Sequence, residues 1–253
     1  MFNAHVVKED LIKWIYNWYC KASPNHDKNI IIGISGGKDS SIVAALCCEA
    51  IGNTKVIGVL LPNGNQSDIN YSMNLVEYLR IPHHWANIEK TYHSIIDNII
   101  ESAETEPLNN IVITNIPPRI RMTYLYAYAA LFNGFVVGTD NLSENYIGWT
   151  TKWGSAVSDF SPLANLTCTE VRQIGYALNL PKEFIDKIPE DGLTGKSDEE
   201  IFGFSYDELD CYIRFKSDLK NCYTAPEVIK KIKKMHKNSR HKFNKIQSYK
   251  YDV

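Results

Sequence analysis

An apolar run, Asn29-Ile30-Ile31-Ile32-Gly33-Ile34, passes directly into Ser35-Gly36-Gly37-Lys38-Asp39-Ser40-Ser41 and then into a helical stretch from Ile42 to Ala50. Strand, turn and helix in that order predict a phosphate-gripping loop. Paired glycines reach backbone conformations closed to other residues and clear away side chains that would block a phosphate. The following helix offers unpaired N–H groups and the positive end of its dipole to the same anion. Ser35, Ser40 and Ser41 add hydroxyl donors and Lys38 a cation. A carboxylate makes little sense facing bare phosphate unless a divalent metal lies between them, so Asp39 is a candidate Mg²⁺ ligand.

The spacing is not that of a Walker P-loop, and no Gly-x-Gly-x-x-Gly opens the helix as in a dinucleotide fingerprint. It resembles the Ser-Gly-Gly-x-Asp-Ser signature of the ATP pyrophosphatases, which cleave ATP between its α and β phosphates.

The rest of the first half alternates: strand 55–61, helix 67–80, strand 83–88, helix 90–103, a helix from about Pro118 to Phe132, and the strand Phe135-Val136-Val137-Gly138. This order predicts an α/β fold, a doubly wound parallel sheet flanked by helices in a single domain over 1–253. Ligands of such sheets sit beyond the carboxyl ends of the strands. The glycine loop, Leu61-Pro62-Asn63-Gly64 and Gly138-Thr139-Asp140 all fall there. Leu11, Ile12, Trp14, Ile15, Trp18 and Tyr19 at helical spacing predict an amphipathic N-terminal helix. Beyond residue 150 we expect an active-site loop over 151–159, a helix over 169–180, a mobile loop over 188–200, helices over 205–215 and 227–237, and a basic segment over 226–253.

Composition narrows the function classes. A net charge of −2 gives no global pull toward nucleic acid or an acidic membrane. No run approaches the roughly 18 apolar residues of a membrane span, and charges interrupt the N-terminus where a signal peptide needs a continuous apolar stretch. A cytoplasmic protein is the expectation. The cysteines at 20, 47, 48, 168, 211 and 222 lack Cys-x-x-Cys spacing and are read as reduced thiols.

The second half specifies the resemblance. Asn115-Ile116-x-x-Arg119-Ile120-Arg121-Met122, Val136-Val137-Gly138-Thr139-Asp140-Asn141-x-Ser143-Glu144 and Gly148-x-x-Thr151-Lys152-Trp153-Gly154-x-x-x-x-Asp159 stand in the order seen in NAD synthetases. Gly192-Leu193-x-Gly195-Lys196-Ser197-Asp198-Glu199, the run Gly203 to Asp210, and His241-Lys242 look like the same family. The resemblance implies an adenine nucleotide alpha hydrolase-like fold and ATP-dependent amidation of nicotinate adenine dinucleotide (deamido-NAD) by ammonia. An adenylated intermediate forms, and AMP and pyrophosphate leave. It implies that Gly33, Ile34, Ser35, Gly36, Gly37, Lys38, Asp39, Ser40 and Thr139 bind ATP. Asp39 and Glu144 would share Mg²⁺, and Arg119, Lys152, Asp159, His241 and Lys242 would hold the dinucleotide. Asp39, Glu144, Lys152 and Asp159 are the candidate catalytic set.

Glutamine-using relatives carry an added glutaminase domain, for which 253 residues leave no space, so free ammonia or a separate partner is the expected donor. Family members are homodimers, and the helix bearing Tyr124, Tyr126 and Tyr128 suits such a contact. The chain also departs from the pattern. Many members carry Lys-Tyr-Gly-Asp-Gly-Gly-x-Asp where this one has Lys152-Trp153-Gly154-Ser155-Ala156-Val157-Ser158-Asp159. The family's ATP-contacting lysine aligns with Cys168, and a threonine aligns with Glu190. Lys196, Lys187 or Lys38 then supplies that charge, or ATP binds more weakly. Two rivals stand beside this reading: another ATP-pyrophosphatase ligase or tRNA-modifying enzyme, and a nucleotide-binding regulator without turnover.

Overall fold

The computed structural model describes residues 2–66, 69–103, 107–187, 197–216, 218–249 and 251. Its sheet is built from β1 (Asn29–Gly33), β2 (Val56–Leu60), β3 (His83–Trp85) and β4 (Gly134–Val136), all parallel, in the order β3-β2-β1-β4. Alternation along β1 sends Ile30 and Ile32 to one face and Ile31 to the other. On the first face they pack with α1 (Ala4–Ala22), α2 (Lys38–Ile51), α3 (Ile69–Leu79), α7 (Cys168–Ala177) and α8 (Lys182–Ile185). On the second, Ile31, Ile57, Val59 and Val136 meet α4 (Glu89–Ala103) and α5 (Asn110–Leu131). Both faces are therefore dry, as the apolar run of β1 requires.

The chain runs outward from β1 through β2 to β3, then returns to place β4 on the other side of β1. That reversal leaves a crevice at the carboxyl ends of β1 and β4, where open parallel sheets bind ligands. The segment after β4 continues through α6 (Leu142–Ile147). A third apolar cluster joins α6 to α9 (Asp198–Phe202), α10 (Tyr206–Phe215) and α11 (Pro226–Ser239) through Ile147, Phe202, Leu209 and Ile232. This cluster sets the second wall of the crevice.

Several elements differ from the sequence expectation. Strands β3 and β4 end two or three residues early. Helix α5 starts at Asn110, not Pro118, because Asn109 caps it through Val112 N and the buried Ile116 and Pro117 hold the turn containing both prolines against the core. The six-residue α6 was not anticipated; its capping box, Asn141 to Glu144, is a local signal that a short apolar run obscured. Of the expected mobile segment, 188–196 lies outside the described residues, and with it Glu190 and Lys196. Ser197 through Glu200 form the cap and first turn of α9. Among the described residues no helix is long and apolar enough to cross a membrane.

Candidate active site

The turn after β1 is shaped for an anion. Gly36 has φ +74°, and a Cβ there would lie 2.9 Å from Tyr71 Cβ and 3.0 Å from Ser72 N, so only glycine fits. Gly37 is the N-cap of α2 and contributes no side-chain cap, which leaves the first N–H groups of the helix to a ligand. The hydroxyls of Ser40 and Ser41 donate to Gly37 O at 3.1 and 2.9 Å, and Gly37 N donates to Ser35 Oγ at 3.2 Å. The serines thus brace the turn from within. Ser35 remains exposed and able to turn toward a phosphate.

Asp39 and Glu144, remote in sequence, are joined by one residue. Asn141, fully buried, donates from Nδ2 to Asp39 Oδ1 at 3.2 Å, while its Oδ1 accepts from Glu144 N at 3.0 Å. In return Glu144 Oε2 accepts from Asn141 N at 3.2 Å. Burial, then the charge of Asp39, raises the Glu144 carboxyl well above its usual range, with Lys38 opposing. Burial also pushes Asp140 up to about 7; its Thr150 contact opposes this, and the charge of Asp39 adds to it. The Asp39 charge thus disfavours charge on both Asp140 and Glu144, and a cation beside them relieves that cost.

Lys38 already lies there. Its side chain is 6% exposed, Nζ stands 2.7 Å from Asp39 Oδ2, and the ammonium lies 5.7 Å from the centre of the Tyr206 ring. Burial works against the charge, yet Asp39 and, further off, Glu144 hold the Lys38 ammonium above its ordinary range. Burial raises the Cys168 thiol, so it stays neutral and supplies no phosphate-binding charge. Lys187 Nζ instead sits over the Tyr71 ring at 4.8 Å.

Sequence reasoning gave no role to Asn141, Tyr206 or Asp210. The Tyr206 hydroxyl donates to the buried Asp198 at 2.9 Å. Asp210 accepts from Thr169 N at 2.8 Å and from the Ser143 hydroxyl, whose oxygen in turn accepts from Cys168 N at 2.9 Å. One carboxylate thereby pins the starts of α6 and α7 together. The cap-and-acid spacing from Asn141 to Glu144 was visible in the chain; the Tyr206 and Asp210 contacts were not, because their partners lie in other helices.

Four of the five residues expected to hold a dinucleotide form a second group, where the C-terminal segment folds over the loop after α6; Asp159 is not brought to it. Arg119 Nε donates to Lys152 O at 3.3 Å, and Lys152 Nζ donates to His241 O at 3.1 Å. Lys242 Nζ donates to both Gly148 O and Thr150 O at 2.8 Å. His241 is exposed at the rim of an open cleft of about 460 Å³, lined also by Lys152, Trp153, Asn244 and Lys245. Asp159 is engaged with the sheet: its Oδ2 accepts from Val136 N at 2.7 Å. Thr139, half-buried, follows β4 at the crevice. Arg121 is drawn inward, its Nε donating to Leu61 O at 3.0 Å.

Among the described residues no three His, Cys, Asp or Glu side chains close on a common point able to hold a metal unaided. Two hard carboxylates that repel each other do fit Mg²⁺, which is commonly bound by one or two carboxylates together with substrate phosphates.

A doubly wound sheet whose switch point combines an uncapped glycine turn with paired carboxylates is that of an adenine nucleotide alpha hydrolase-like protein. The NAD synthase family profile matches residues 9–245. The NH(3)-dependent NAD(+) synthetase of Pyrococcus furiosus is 35% identical over 86% of each chain. Among solved structures, NMN synthetase from Francisella tularensis superposes with a TM-score of 0.86 at 30% identity, covering 99% of this chain and 100% of its own. The NH3-dependent NAD synthetase from Campylobacter jejuni gives 0.80 at 25%, covering 98% and 100%. This chain belongs to the NAD synthase family, and it is a ligase that forms carbon–nitrogen bonds.

Proposed function

We propose that the chain amidates the nicotinate carboxyl of deamido-NAD with ammonia, at the expense of ATP. The observation that carries this reading is the Asn141 bridge. It sets Asp39, at the phosphate turn, and Glu144, across the crevice, beside one another. A carboxylate becomes an amide only when its oxygen is made a good leaving group. Attack of that oxygen on the α phosphorus of ATP gives an acyl adenylate and pyrophosphate; ammonia then attacks the acyl carbon and AMP departs.

Most of the work asked of the protein is charge cancellation and positioning. The free N–H groups at the start of α2, the exposed Ser35 hydroxyl and Thr139 would grip ATP. Asp39 and Glu144 would hold Mg²⁺, which when bound neutralises part of the phosphate charge. Arg119, Lys152, Asp159, His241 and Lys242 would receive the dinucleotide, the Arg119 guanidinium suiting a two-bonded grip on phosphate. Lys152 exchanges its His241 carbonyl contact for substrate. The likeness to NAD synthetases is what supports a homodimer; Tyr124 and Tyr128, expected at its contact, are turned inward, to Thr91 and His84.

A second reading takes nicotinate mononucleotide as the acid, favoured by the likeness to the Francisella tularensis NMN synthetase. Incubation with ATP, Mg²⁺, ammonium and either acid, followed by mass spectrometry, decides between them. NAD with equimolar AMP is the expected outcome, and NMN formation alone would transfer the assignment to the mononucleotide. Nucleotide binding without turnover of either acid would mark a regulator, and turnover only with another acceptor a different ligase.

A further inference from the structure

Both carboxylate oxygens of Asp39 are engaged: Oδ1 accepts from Asn141 Nδ2 at 3.2 Å, and Oδ2 faces Lys38 Nζ at 2.7 Å. The two partners differ in kind. Asn141 is neutral, fully buried and fixed by its second bond to the start of α6. Lys38 is a cation on a flexible four-carbon stem, rooted at the first residue of α2, where the free N–H groups await phosphate. A metal ion seated between Asp39 and Glu144 would be pressed against this ammonium, because the side chain is 6% exposed and has little water to retreat into.

We infer, on the reading of this crevice as a metal–nucleotide site, that Lys38 is the resident counter-ion of the Asp39–Glu144 pair and is displaced onto the triphosphate when metal-bound nucleotide enters. The exchange conserves contacts. Lys38 leaves one anionic oxygen for another, Asp39 trades an ammonium for the metal, and Asn141 keeps the remaining oxygen aligned throughout. Two consequences follow. Divalent metal alone binds the resting protein weakly, because it must expel a like charge that has no phosphate to go to. Metal and nucleotide bind with positive coupling, each favouring the arrangement the other needs. The neutral thiol at Cys168 leaves this task to Lys38.

The test is Mn²⁺ binding to nucleotide-free protein, followed by electron paramagnetic resonance. Lys38→Met should bind Mn²⁺ at least about tenfold more tightly than wild type, since a buried like charge has been removed. Lys38→Arg should remain with wild type, and adding Asp39→Asn to Lys38→Met should abolish the gain. Equal Mn²⁺ affinity in wild type and Lys38→Met overturns the inference. A second measurement needs no variant. In wild-type crystals soaked with α,β-methylene-ATP and Mg²⁺, Lys38 Nζ should lie on a phosphate oxygen; an ammonium still paired with Asp39 while metal and nucleotide are bound overturns it. A soak in which the glycine turn stays empty refutes the metal–nucleotide reading itself, and the inference falls with it.

Discussion

Gly148 is where the C-terminal segment is locked onto the catalytic half, and replacing it with alanine isolates that lock. Its φ is +75°, and a Cβ would lie 2.0 Å from Ser239 Cβ and 2.6 Å from Ser239 Oγ, with Ser239 Cα at 3.4 Å. The left-handed backbone alone costs a non-glycine residue about 1 kcal/mol. Forcing apart two segments held by His236, Arg240 and Lys242 bonds to carbonyls of 145–150 adds about 1 to 3 kcal/mol of overpacking. Gly148→Ala should therefore lower unfolding stability by about 2 to 4 kcal/mol. Ser239→Gly removes both clashing atoms and leaves the Cα at ordinary contact distance. Alone it should cost roughly 0.5 to 1 kcal/mol, for glycine at the end of a helix. The double variant should be more stable than the sum of the single losses predicts by about 1 to 3 kcal/mol, the steric part alone. Urea unfolding followed by circular dichroism measures all four corners of the cycle. Additive losses, or a Gly148→Ala cost below about 0.5 kcal/mol, would refute the argument that residue 239 packs on residue 148.

Three further outcomes are expected. Asp39→Asn should lower turnover by about 100-fold or more, with a much smaller change in melting temperature; unchanged steady-state kinetics would remove Asp39 from the metal site. Lys152→Ala should raise KM for the acid substrate, with ATP affinity by calorimetry largely retained, and an equal loss of ATP affinity would reassign the residue. The Asp140 carboxyl, lifted to about 7 by burial against the Thr150 hydrogen bond, holds its proton more tightly folded than unfolded. Its stabilising contribution is full below about pH 4 and is lost as pH rises to about 7. In metal-free protein Asp140→Asn should then gain about 2 to 4 kcal/mol over wild type at pH 8 and little at pH 4, by urea unfolding; a gain independent of pH would contradict the assignment.

Much of the site was legible in the chain because its parts are local. The diglycine turn needs only neighbours in sequence, and its placement between an apolar strand and a helix fixed what it faces. Order along the chain likewise implied the parallel sheet, since alternating strands and helices leave few connections that are right-handed and uncrossed. Helix α5 was misread at its start because the Pro117-Pro118 pair is a strong local breaker, overridden by packing of Ile116 and Pro117 that no local rule reports. The residues proposed to hold a dinucleotide were singled out only by resemblance. Lys242, within a basic tail, looks like solvated charge until the fold brings its ammonium to the carbonyls of Gly148 and Thr150.

By itself, then, the sequence determined the strand–turn–helix that starts the fold and the covered parallel sheet, and it singled out the two acids as candidates. Only tertiary structure decided that Asn141 spans Asp39 and Glu144, that Lys38 is buried against them, and that Asp210 ties the starts of α6 and α7. The physical reason is range. Turn and cap geometry is settled by residues a few positions apart, whereas the cancellation of buried charge depends on which distant side chains the packed helices bring within a few ångströms.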